Sequence, residues 1–236
     1  MAVTIGKVYQ QVLLLTNDDR NVELTPEKFN LLAEKVQMEI FEKTFHDYKL
    51  ALRKPGFLED LGNETSLLEE KIALFKIHNA SITVSAGNGT LIPEGSDTIY
   101  DVLNVYATSN DVYEKVNRER FGAIVSAGVN TKINPTFSNH CIWIRKAPTA
   151  IQIHPASGTD LKFDYIKKPS QPKFTTEMAS GKAFKHSGTI DFQLHSSEMG
   201  AIVNRILELV GVMKGNPLVV QTAGKIEATN EVNKDR

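Results

Sequence analysis

Leu161-Lys162-Phe163-Asp164-Tyr165-Ile166-Lys167-Lys168-Pro169 is the stretch whose reading decides the fold. Its first five residues alternate apolar with charged. On an extended chain Leu161, Phe163 and Tyr165 therefore face inward while Lys162 and Asp164 meet water, the pattern of a half-buried strand. Pro169 ends it, because proline offers no amide proton to a ladder. The same period of two recurs in Ile82 and Val84 against Thr83 and Ser85, and in Ile190, Phe192 and Leu194 against Asp191, Gln193 and His195. Ile99 to Tyr106, Cys141 to Ile144 and Ile151 to Ile153 are rich in β-branched and aromatic residues and supply further short strands. Asn88-Gly89 tolerates positive φ and predicts a tight turn after Ser85. Turn signals at Pro148, Pro155, Gly158 and Pro169 fall at roughly the 8 to 12 residue spacing of an antiparallel sandwich or barrel. Only Arg118 to Ala127 reads as a helix between strands, which argues against repeated βαβ units and a doubly wound nucleotide fold.

Outward from the strands the apolar period becomes 3.6. Ile5, Val8, Tyr9, Val12 and Leu13 form a stripe behind Thr4, which can cap the first turn through its hydroxyl. Thr25-Pro26-Glu27 supplies a cap, a proline at the first helical position and an acid near the positive end of the helix dipole. A second stripe of Phe29, Leu32, Val36, Ile40 and Phe45 runs until Lys54-Pro55-Gly56. Ser66-Leu67-Leu68-Glu69 has capping-box spacing and predicts a short helix around residues 67–74. Ser196 or Ser197 caps a last helix carrying Met199, Ile202, Val203, Ile206, Leu209, Val210 and Met213, and Gly215-Asn216-Pro217 stops it.

The last helix needs a partner for its apolar face, and the N-terminal helices offer one. The predicted fold class is therefore α+β, a helical domain formed by the N-terminal helices and a C-terminal helix, with an inserted antiparallel β-sandwich-like domain. The expected boundaries are 1–76 for the N-terminal helical part, 77–195 for the β-rich insert, 196–215 for the completing helix and 216–236 for an extended tail. That tail is polar apart from Leu218, Val219 and Val220. Alone it buries too little surface to offset its ordering entropy, so it is either disordered or ordered by a neighbouring subunit.

Composition is that of an ordinary globular chain, 41% hydrophobic and 23% charged over 236 residues. Lys and Arg number 27 against 28 Asp and Glu, a net charge of -1 that gives no global attraction to nucleic acid or anionic membrane. The single cysteine, Cys141, has no partner for a disulfide or a CxxC pair and reads as a small buried hydrophobe. No N-terminal signal pattern or membrane-length apolar run is present, so a soluble protein assembled in the cytoplasm is expected. Asn-x-Ser/Thr triplets at Asn63, Asn79 and Asn88 then read as chance matches.

Motifs that carry chemistry are sparse. Gly87-Asn88-Gly89 lacks the third glycine and the following helix of a phosphate loop. No HExxH, GxSxG or EF-hand pattern occurs, and His46, His78, His140, His154, His186 and His195 include no i, i+4 pair. The sharpest metal hypothesis pairs His140 with His154 across adjacent strands, with Asp160 or Asp164 as a third ligand. Asp18-Asp19 and Glu69-Glu70 are sequence neighbours that point different ways on a helix. No enzyme activity and no cofactor are expected.

Lys167-Lys168-Pro169-Ser170-Gln171-Pro172-Lys173 carries two readings. It is either a strand terminator with a solvated charge run, or a proline-stiffened arm that contacts an adjacent subunit or faces DNA in a channel. Tyr165-Ile166-Lys167-Lys168-Pro169, then Pro172-Lys173-Phe174, then Asp191-Phe192-Gln193-Leu194, then a helix with Asn204-Arg205-Ile206-Leu207, resembles virion proteins of crAss-like bacteriophages. The layout is also similar to tail tubular or adaptor proteins of short-tailed phages. The resemblance spans residues 3–223 and is clearest over 137–221. It implies a structural protein of the virion neck or tail, a head-to-tail connector assembled as a twelve-subunit ring beneath the portal. Its partners would be the portal, other tail or ring proteins, and genomic DNA passing through the channel without sequence-specific binding. On that reading Lys167, Lys168, Pro169, Pro172, Lys173, Leu218, Val219 and Val220 are the candidate interface residues. The alternative is a receptor- or glycan-binding module of a virion appendage.

Overall fold

A computed structural model describes residues 2–16, 24–51, 62–85, 87–107, 112–126, 141–154, 161–175, 177–178, 184–185 and 188–214. In chain order the elements are β1 (Ala2–Val3), α1 (Ile5–Thr16), α2 (Pro26–Ala51), α3 (Gly62–Ala73), β2 (Lys76–Ser85), β3 (Asn88–Leu91), β4 (Ile99–Ala107), β5 (Val112–Lys115), α4 (Arg118–Ser126), β6 (Ile142–Ala147), β7 (Ala150–His154), β8 (Leu161–Lys167), β9 (Glu177–Met178), β10 (Phe184–Lys185), β11 (Phe192–His195) and α5 (Met199–Lys214). They divide into two compact units, residues 1–74 with 169–236, and residues 75–168.

The second unit overturns the expected sandwich insert. Its strands close into a seven-stranded barrel in the order β2-β3-β7-β6-β5-β4-β8. All neighbours are antiparallel except β5 and β6, which run parallel around the α4 crossover. Closure leaves no strand edge to be protected, and the curl it needs comes at register shifts in β2 and β4 where each pairs with β8. The alternation predicted for β8 is present: Leu161, Phe163 and Tyr165 are buried while Lys162 and Asp164 are not. Trp143, Ile151, Ile153, Val102, Val105 and Tyr113 complete the apolar interior, with Cys141 among them as a buried thiol.

Asn88-Gly89 is not the turn that the dipeptide predicts. Ser85 pairs with Asn88, so the chain turns before Asn88, and Gly87 there has φ 78°. Gly89 sits within β3, and a Cβ there would meet Ile82 Cγ2 and Ile151 Cγ1 at 2.9 Å. The position needs glycine because two isoleucines press against its backbone.

The first unit is not purely helical either. The strand expected at 190–195 as the last of the insert is β11, and it pairs with β1 in this unit. The inserted domain therefore ends at Lys168 rather than residue 195. Alternation alone says which way a strand faces but not which strand it bonds, and β1, only two residues long, carries no periodic signal. Inside the unit α2 packs on α3 and α5, and α1 on α5. Ile5, Val8 and Val12 of α1, Phe29, Ala33, Val36 and Phe41 of α2, Ile72 of α3, and Ile202, Ile206 and Val210 of α5 are buried together with Phe192.

The helix starts follow capping rules with altered partners. Thr25 Oγ1 accepts from Lys28 N at 3.4 Å, as its sequence predicts. Ile5 N, however, donates to Asp191 Oδ1 at 2.9 Å across the β1–β11 ribbon. Ahead of α5 a 3-10 turn at Ser196–Glu198 is capped by His195, whose ring accepts from Ser197 N. Arg205 on α5 donates to Glu39 on α2 and to Glu208 one turn on, and these carboxylates raise its already high pKa.

Candidate functional site

β8 ends at Lys167 and Lys168 is exposed, in line with the strand-terminator reading; the packing of the residues beyond is what neither reading of 167–173 anticipates. Lys167 and Lys168 belong to the barrel unit: Lys167 N donates to Phe75 O at 2.9 Å and Lys168 N to Thr98 O at 2.8 Å. From Pro169 the chain lies as a strap along α2, with Pro169 and Pro172 buried. Gln37 Nε2 donates to Ser170 O at 2.7 Å, and Ser170 N donates to Gln193 Oε1 at 3.0 Å. Gln171 Nε2 reaches Glu34 Oε1 at 2.6 Å. Asn30 closes the far end twice over: its Nδ2 donates to Phe174 O at 3.0 Å and its Oδ1 accepts from Phe174 N at 2.8 Å.

Asn30, Glu34 and Gln37 are spaced i, i+4, i+7 and share one helix face. Asn30 and Gln37 supply backbone donors and acceptors that a neighbouring strand would otherwise give, which keeps an edge with buried prolines satisfied, while Glu34 accepts from the Gln171 side chain. Phe174 then joins Tyr9 and Phe29, with ring centroids 4.5 and 6.4 Å away, so α1, α2 and the strap share one aromatic cluster. Lys173 bridges to Ile190 through two backbone hydrogen bonds and keeps its side chain exposed. The segment is thus held by its own chain, and only Lys168, Ser170, Gln171 and Lys173 present exposed surface. Leu218, Val219 and Val220 lie outside the described residues.

The proposed histidine pair cannot be placed as a metal site. His140 and Asp160 lie outside the described residues, and His154 stands opposite Ile142 in the barrel. No cluster of three or more metal-ligating His, Cys, Asp or Glu occurs among the described residues.

Asp164 has other neighbours, which sequence reading missed. His78 Nδ1 lies 3.4 Å from Asp164 Oδ2, Asn79 N donates to Asp164 Oδ1 at 3.1 Å, and Tyr106 Oη lies 3.0 Å from the same oxygen. Tyr106 Oη is also 2.7 Å from Asn79 Oδ1. One phenolic proton serves one acceptor, so the contacts close when the Asn79 amide is rotated to turn its NH2 toward the phenol. Burial and the adjoining Asp164 carboxylate raise the Tyr106 pKa above its ordinary value. Asn79 has φ 64°, a conformation Asn tolerates better than most residues, at the register shift where β2 leaves its regular pairing with β8. The four groups satisfy one another, and their arrangement clamps the bulge.

The remaining unassigned features are exposed apolar side chains. Leu14 is 78% exposed, Leu31 71%, Leu15 60%, Val212 60% and Met213 54%, all on helices of the first unit. On α1, Leu14 and Leu15 join Lys7, Gln10 and Gln11 to line a surface trough of ≈ 590 Å³. No helix of the described residues is long and apolar enough to cross a membrane. No family model matches the chain, and no curated protein matches it either.

Proposed function

We propose that this chain is a structural, non-enzymatic subunit of a tailed-bacteriophage virion, one copy of the ring that joins portal to tail and surrounds the DNA channel. The observation that carries this reading is the set of solvent-facing leucines, valine and methionine on α1, α2 and α5. Burying such a side chain is worth about 1.5 to 3 kcal/mol, so exposed apolar pairs such as Leu14–Leu15 and Val212–Met213 suit contact with another protein. A ring needs two different complementary patches on each copy, closed by rotation. The α1 trough is one such patch. The exposed Lys168 and Lys173 are candidates for contacts with the portal or with DNA, while the buried Pro169 and Pro172 stiffen the strap that carries Lys173.

Light scattering on the chromatographed protein, alone and mixed with portal, tests the reading, with particle imaging of any assembly. Ring-sized species or a stable portal complex support it. A chain that stays monomeric at all concentrations and ignores the portal overturns it.

The rival reading is a receptor- or glycan-binding module, and the polar cluster at Asp164 is the observation that favours it, since carboxylate, amide and phenol groups together suit sugar hydroxyls. Glycan-array binding that disappears in Asp164→Asn would establish that reading. The mutual satisfaction of the four groups weighs against it.

A further inference from the structure

We infer that the α1 trough is the docking groove for the segment that follows α5 in a neighbouring copy, with Leu218, Val219 and Val220 seated beside Leu14 and Leu15. This deepens the ring reading and rests on it. Lys7, Gln10, Gln11, Leu14 and Leu15 are spaced i, i+3, i+4, i+7, i+8 and line one stripe, away from the buried stripe of Ile5, Val8 and Val12. The stripe holds amide side chains at one end and two exposed leucines at the other.

The protein already uses this kind of recognition on α2. There Asn30, Glu34 and Gln37 hold a proline-stiffened extended segment through its backbone and a glutamine, while Phe174 fills the apolar end. The sequence after α5 has the composition of a second such strap. Pro217 removes an amide donor and opposes helix, Leu218-Val219-Val220 follows at once, and the remainder to residue 236 is mainly polar. Three consecutive apolar residues in a polar stretch call for a surface to cover them.

α5, from which this segment continues, packs against α1. Ala2 of β1 pairs with His195 of β11, so α1 and α5 begin at the same ribbon. Exposed Val212 and Met213 occupy the last turns of α5, directly before the segment. Residues 215–236 span up to about 70 Å when extended, at roughly 3.3 Å per residue, which is ample to cross to an adjacent subunit. Exchange of such segments gives a head-to-tail contact, with trough and strap on opposite partners, which is the interface a ring requires.

Three chains test this: one ending at Lys214, one carrying Leu14→Asp and Leu15→Asp, and the unaltered protein. The truncated and the doubly substituted chains are each expected to be monomeric by light scattering. The doubly substituted chain should melt like the truncated one, because both are monomers and Leu14 and Leu15 are exposed. Mixed together they should form one-to-one heterodimers, since one keeps the trough and the other the strap. A fluorescein-labelled peptide of residues 215–224 should bind the truncated chain and lose at least tenfold in affinity to a truncated chain carrying both Asp substitutions. Assembly that persists without residues 215–236, failure of the mixture to pair, or a peptide that does not bind overturns the inference while leaving a ring possible by other contacts. Peptide binding by a protein that never assembles, alone or with portal, overturns the ring reading and with it the assignment of the strap to a neighbouring copy.

Discussion

Gln37 and Ser170 are joined by a hydrogen bond of 2.7 Å from the side-chain amide to the backbone carbonyl, although 133 residues separate them. The Gln37 side chain is 1% exposed and spends its other end on Gln193 N at 3.0 Å. One buried amide therefore ties α2 to both the strap and β11. Gln37→Leu leaves that carbonyl and that amide without partners inside the protein, at about 1 to 3 kcal/mol for each group that water does not reach. Urea unfolding should show a clear fall in midpoint. Gln171→Ala, which removes an exposed contact with Glu34, should stay within about 0.5 kcal/mol of the parent.

Two glycines give opposite outcomes under the same substitution. Gly89→Ala forces a Cβ to 2.9 Å from Ile82 and Ile151 inside the barrel and should cost about 1 to 3 kcal/mol. Gly122→Ala on α4 meets nothing within 4 Å and should stabilise by about 0.5 to 1 kcal/mol, because alanine loses less backbone entropy in a helix. Thermal melts of the two variants check the sign of each effect.

Asn79 is held at φ 64° by the bulge, so the residue types it accepts should follow backbone freedom. Asn79→Gly should be close to neutral, since glycine takes the left-handed region without strain and offsets the lost contact with Tyr106. Asn79→Ala should lose about 1 to 2 kcal/mol and Asn79→Val more. Equal stabilities for the three variants, read from unfolding curves, would show that the bulge relaxes.

Alkaline stability depends on two phenols. Burial raises the Tyr165 pKa; the hydrogen bond that Tyr165 Oη accepts from Glu94 N at 3.0 Å opposes this in part, and Asp97, with Oδ2 3.4 Å from Oη, adds to the rise. Tyr106 is raised as well. A raised phenol keeps its proton in the folded state after the unfolded state has lost it, so folding then binds protons and stability falls as pH rises. The contribution is intact below the ordinary value near 10 and is lost above it, through the folded-state values. Denaturation midpoints from pH 8 to 11.5 should fall with a slope that Tyr165→Phe and Tyr106→Phe each reduce.

From the amino-acid order one could read the positions of α1, α2, α4 and α5 and the inward set of β8. These are local properties: a face with period 3.6 or 2, a cap, or a proline is written within a few residues of where it acts. The Ser85–Asn88 pairing is local too, but the dipeptide signal placed the corner one step too late. The glycine that two isoleucines require and the Asp164 clamp were not legible, because each depends on strands brought together from distant positions. The same holds for closure of the barrel, since a sandwich and a barrel share one alternation and differ only in which strands bond. It holds again for the lysine- and proline-rich segment, whose composition leaves a strand terminator and a protruding arm both open. Only packing against α2 and β11 makes it a strap: Asn30, Gln37 and Gln193 meet its backbone and Glu34 meets the Gln171 side chain, contacts between residues far apart in sequence.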